Sequence, residues 1–205
     1  MTRWTNWPSG SWRSPVALSE AVVTDAATAI ADTRRWLERA VIGLNLCPFA
    51  KGVHAKGQVH YAVATEGDAQ AVLRVFRDEL QALLAADPAD RDTTLLIVPS
   101  GQDDFHRFHA LVGQAERIVR REGLEGVVQV AHFHPAFVFA DADEDDIANA
   151  TNRAPYPTLH LLREASIDRA VAAFPDAAAV YEANIRCLRE LGPEGWRALD
   201  VGPSS

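Results

Sequence analysis

Cysteine is scarce in this chain of 205 residues: Cys47 and Cys187 are its two, too few for a disulfide framework and too far apart for a short-range zinc knuckle. Their thiols are expected to be reduced. Long apolar runs are missing as well, and none approaches the roughly 18 uninterrupted apolar residues of a membrane span. Residues 1–19 hold Arg3, Arg13, Ser and Pro without the apolar centre of a secretory signal. Positive charge is in the minority, with 20 Lys and Arg against 28 Asp and Glu. The resulting net charge of -8 opposes the counterion release that drives binding to nucleic acid or anionic lipid. These absences lead to the expectation of a cytoplasmic protein that partners neither nucleic acid nor membrane. Also missing are a G-x-x-x-x-G-K-[ST] phosphate loop, a G-x-G-x-x-G after a strand, an H-E-x-x-H helix and a G-x-S-x-G elbow, which removes weight from the common nucleotide, zinc-protease and serine-hydrolase chemistries.

What remains is globular, 48% apolar and 23% charged, and the length suits one domain. Residues 1–20 place Trp4, Trp7 and Trp12 among Pro, Ser and Gly and read as an arm; 21–192 form the domain and 193–205 a tail. Over 21–46, Val23, Ile30, Leu37, Val41 and Leu44 recur at helical spacing with Asp32, Arg34, Arg35 and Glu38 around them. Pro48 then disfavours helix at Cys47. Residues 59–64 alternate as a half-buried strand and 68–85 return to helix. The continuous apolar run 93–98 reads as a central strand covered on both faces. A helix opened by Asp103 and Asp104 runs to Gly123, and a third strand spans 127–133. Residues 158–173 and 175–191 read as helices, the second stopped by Gly192-Pro193. This order predicts an α/β fold, a small, largely parallel sheet of three or four strands with helices on its faces, the middle run flanked by the other two strands. An α+β ferredoxin-like sheet is the alternative, and 137–140 offer a hairpin strand.

Three stretches carry chemistry: Asn45-Leu46-Cys47-Pro48-Phe49-Ala50-Lys51, the strand ending Phe133-His134-Pro135, and the segment from Thr151 to Glu164 that reads TNRAPYPTLHLLRE. Together, over residues 36–173, they resemble a family of bacterial proteins classed as a domain of unknown function. The resemblance implies no activity. In that family's pattern serine often stands at the positions of His132 and Ala154, so the likeness lends nothing to a His132–His134 metal pair.

His134 follows the carboxyl end of a strand, where open α/β sheets place ligands; capping the strand end by hydrogen bonding is the structural alternative. His160 and Glu164, four apart on the expected helix, share a face. With His134 they compose two imidazoles and a carboxylate that suit a divalent metal with open positions. Cys47 has its thiolate disfavoured if it ends the long helix and favoured if it caps a new turn; a thiol packed between Leu46 and Phe49 is the third reading. Lys51, Asn152, Arg153, Tyr156 and Arg163 are candidates for holding a substrate, with Arg153 and Arg163 forming a fork for carboxylate or phosphate. The functional expectation is a small-molecule enzyme acting on an anionic substrate. It is either metal-dependent or uses His134 or His160 as general acid or base, with Cys47 as nucleophile in one version. A non-catalytic ligand-binding or regulatory module is the competing expectation. On the single-site view, Cys47, His134, Arg153 and His160 should border one pocket.

Overall fold

The computed structural model describes residues 24–173 and 177–204. The arm at 1–20 and the expected helix start at Pro175 lie outside the described residues. Asp25 opens helix α1 (Ala26–Trp36), its carboxylate accepting from the backbone amides of Ala27 and Thr28. The expected single helix to residue 46 instead changes pitch and continues as a π-helical segment, Leu37–Ile42. The amide of Gly43 reaches the carbonyl of Glu38 and that of Leu46 reaches Val41, each across five residues. A Cβ at Gly43 would lie 2.2 Å from the carbonyl oxygen of Arg39, so this close approach needs glycine. Asn45 turns the chain out at φ 55°, and a short helix α2 (Ala50–Ala55) follows.

Strand β1 (Val59–Val63), helix α3 (Ala69–Ala85), strand β2 (Thr93–Ile97), helix α4 (Phe105–Arg121) and strand β3 (Val128–Phe133) follow within a residue or two of expectation. Asp68 and Asp104 cap the two helices with their side chains, and Gly123 leaves α4 at φ 70°. The next segment corrects the sequence reading. Residues Thr158–Arg163 form strand β4, and only Glu164–Ala173 is helix, α5. Pro157 and Thr158 resemble a helix start, but Leu159 and Leu161 pack into one apolar layer while His160 and Leu162 turn to the other, the alternation of a strand with both faces covered. Residues 137–140 form no strand.

The sheet order is β1-β2-β4-β3, with β1 parallel to β2 and β4 antiparallel to both β2 and β3. It is therefore mixed, not largely parallel, and not the ferredoxin-like alternative. All three expected strands share one sheet and β2 is internal, but its second neighbour is β4, which inserts between β2 and β3. One face packs on α3 and α4 through Leu96, Leu159, Leu161, Phe76 and Phe108. The other meets α1 and the π segment through Trp36, Leu37, Val59, Tyr61 and Phe133.

Helix α6 (Ala177–Ala198) runs past Gly192-Pro193 with a kink at Gly192, φ 69°. Among its described side chains Asn184 and Leu188 are buried, Ala183 is exposed and Cys187 half-buried. The tail is held rather than frayed. Arg35 donates to the carbonyls of Asp200 and Gly202, both at 2.8 Å, and Val201 is buried. Asp32, expected on the polar face of α1, is fully buried. Its carboxylate accepts from Tyr156 Oη at 2.7 Å, Ser204 N at 2.8 Å and Ser204 Oγ at 2.6 Å, and pairs with Arg35 at 2.9 Å. Among the described residues no helix is long and apolar enough to cross a membrane.

Candidate functional site

A cavity of about 390 Å³ lies between the second face of the sheet and the helices around it. Its floor is β-sheet: Thr93 and Leu95 of β2, His160 and Leu162 of β4, Ala131 and Phe133 of β3. Trp36, Leu37 and Val41 form one wall where α1 becomes the π segment. Cys47, Phe49, Ala50 and Val53 form a second, at and around α2, and Ile167 and Ala170 of α5 a third. Asp92, Gln129, Arg163 and Ser166 add polar groups, Ser166 Oγ donating to Asp92 at 2.6 Å.

His160 and Thr93 are the polar residues of the floor. The hydroxyl of Thr93 lies 2.7 Å from both His160 Nε2 and the carbonyl oxygen of Leu161. A carbonyl only accepts, so the single hydroxyl proton goes to Leu161, and Thr93 Oγ1 accepts from Nε2–H. This fixes the Nε2–H tautomer and leaves Nδ1 as a bare acceptor with no hydrogen-bond partner among the described residues. Desolvation pushes the imidazole down to about 4, so it is neutral at physiological pH.

The structure separates the expected site. Cys47 and His160 line the cavity together; His134 and Arg153 do not. His134 is buried at the far end of β3 against Phe105 and Phe108, with ring centroids 5.3 Å from each. Its Nε2–H donates to the carbonyl of Gln102 and its Nδ1 accepts from the amide of Ala136, both at 3.0 Å. Both nitrogens are thus committed to backbone, the strand-capping role. His134→Leu is expected to leave the buried carbonyl of Gln102 and the part-buried amide of Ala136 without their partner and to cost about 2 kcal/mol, read as a lower denaturation midpoint, with the cavity unaltered.

Arg153 donates to the carbonyls of Phe137 at 3.0 Å and Glu144 at 2.8 Å. Arg163 donates to those of Leu83 and Ala86 at the C-terminal end of α3, so the expected Arg153–Arg163 fork does not form. Asn152 gives its carbonyl to the amide of His134 at 3.1 Å, Tyr156 is bonded to Asp32, and Lys51 is exposed on α2. The metal set of His134, His160 and Glu164 is not assembled either: His160 lies in a strand and Glu164 opens the next helix. Among the described residues no three His, Cys, Asp or Glu side chains cluster as a metal would require. His132 packs with His109, Phe108 and Phe137 on the opposite face of the sheet, and burial first, then its neighbouring histidines, pushes it down to about 4. Sequence reasoning missed Thr93, which read as part of a strand covered on both faces, and Trp36 as cavity residues, while Phe133 lines the cavity from within the Phe133-His134-Pro135 stretch.

Fold and site define an α/β protein in which β4 splits a β-α-β unit and roofs of helix enclose an apolar cavity against the sheet. The chain belongs to the family described as protein of unknown function (DUF1415), which matches residues 28–198. The chain matches no curated protein and no solved structure.

Proposed function

We propose that this protein binds a small, predominantly apolar molecule in the cavity between the sheet and the π segment, with His160 as its polar anchor. The observation that carries the reading is a space of about 390 Å³ walled by aliphatic and aromatic side chains around one neutral, oriented imidazole. That volume is within the roughly 300–1,000 Å³ of small-molecule sites. The lining favours an uncharged body over the anionic substrate expected from sequence. Arg163 is the one Lys or Arg among the lining residues, and it gives hydrogen bonds to backbone carbonyls. π-helical segments occur often at functional sites, and here one supplies a wall.

Catalysis is the second reading, favoured by Cys47 and His160 lining the same cavity: the thiol is its nucleophile and the imidazole its acid or base. Binding is tested by titration with the uncharged fluorescent probe N-phenylnaphthylamine. Wild type is expected to bind it saturably with one site. Ala131→Trp, which fills the space above the floor from β3, is expected to weaken binding at least about tenfold while keeping the wild-type circular dichroism spectrum; Ala50→Trp on α2 is the second filling variant. Equal binding by wild type and both folded variants would remove the cavity from consideration.

A further inference from the structure

The relay that orients His160 also defines the kind of ligand it recognises. Leu161 offers a carbonyl, Thr93 gives its proton to that carbonyl, and Thr93 Oγ1 thereby becomes the acceptor for His160 Nε2–H. The chain of bonds has one direction because its far end can only accept. At the near end stands Nδ1, a lone pair with no partner among the described residues, on a side chain that lines an apolar cavity. The wall also holds a donor without a partner among the described residues, the buried indole N–H of Trp36. Ala131, Leu95 and Phe133 around the ring offer no side-chain donor, and a carboxylate would set its own lone pairs against that of Nδ1.

Resting on the reading of the cavity as a binding site, we infer that its ligand carries an uncharged hydrogen-bond donor, an alcohol or phenol hydroxyl on an apolar body, which donates to His160 Nδ1. The imidazole then has both nitrogens satisfied: Nε2–H donates to Thr93 and Nδ1 accepts from the ligand. A ketone, ester or carboxylate of the same shape leaves Nδ1 unpaired in an apolar setting, and recognition through such a buried polar group discriminates strongly against analogues that lack the partner.

The test is displacement of N-phenylnaphthylamine from the full chain by decanol, methyl decanoate and decanoate. Decanol is expected to displace the probe at a concentration about tenfold lower than methyl decanoate, with decanoate weakest. His160→Phe keeps an aromatic ring but no acceptor and is expected to bring decanol and the ester within about twofold of each other, while still binding the probe. Thr93→Val, which removes the relay and with it the tautomer lock, is expected to narrow the same ratio and serves if His160→Phe does not fold. Equal displacement by decanol and ester in wild type, or a preference for decanoate, would overturn the inference and leave the binding reading intact. A wild-type protein that binds no probe at all would overturn both.

Discussion

Acidification from pH 7 to pH 4.5 is expected to remove a large part of the stability of this domain. His132 and His160 each fold with a value near 4 against an ordinary 6.5, and His134 is lowered too, by burial. For a group lowered on folding, the unfolded chain takes up protons that the folded one refuses. The stabilisation is therefore complete above 6.5 and is lost as the pH falls from 6.5 through the folded value. A shift of this size corresponds to about 3 kcal/mol for each of His132 and His160 as an order of magnitude, against total stabilities of about 5–15 kcal/mol. Denaturant midpoints measured between pH 7 and pH 4.5 read the loss directly. His132→Leu and His160→Phe should each flatten the profile by part of it. A midpoint unchanged over this range would contradict the burial of the neutral rings.

Asp32→Ala is expected to destabilise the protein by about 3 kcal/mol, because removing one member of a buried charge network leaves the others desolvated and unpaired. The side chain is 1% exposed, and the tyrosine hydroxyl, the Ser204 amide and hydroxyl and the Arg35 guanidinium all meet there. Burial raises the carboxyl, but the bonds from Ser204 and Tyr156 and the charge of Arg35 outweigh it, and the group lies below its usual range. Its stabilisation is present above the unfolded value of 3.8 and disappears as the pH falls through the folded one, a window below that of the histidines. By scanning calorimetry the variant should melt about 6–12 °C below wild type. Asp32→Asn, which keeps an acceptor without the charge, should fall between the two. An Asp32→Ala protein melting with the wild type would mean that the tail and Tyr156 are held by something else.

Much of the scaffold was legible because its signals are local. Asp68 and Asp104 announce helices through caps that they indeed make, and the run from Thr93 shows its double burial in its composition. Thr158-Leu-His-Leu-Leu-Arg was misread because one leucine before the histidine and two after it satisfy helix and strand patterns alike. What decides between them is a pair of neighbours, β2 and β3, that no local window contains. The site inherited that error. Cys47 and His160 were singled out, but Thr93 becomes their companion only once β4 is a strand lying diagonally beside it. Asp32 looked like one more charge on a solvated helix face, since its partners at Tyr156 and Ser204 lie 124 and 172 residues away. His134 carried the sequence signal of a strand-end ligand and turned out to spend both nitrogens on the loop that follows it.

The most direct measurement is the crystal structure of the protein grown with a bromine-tipped decanol, in which anomalous scattering locates one end of the ligand independently of its electron density. The account predicts one bromine peak inside the cavity beneath the π segment and a hydroxyl within hydrogen-bond distance of His160 Nδ1. A bromine on the protein surface with the cavity unfilled, or a hydroxyl turned away from His160, would contradict it.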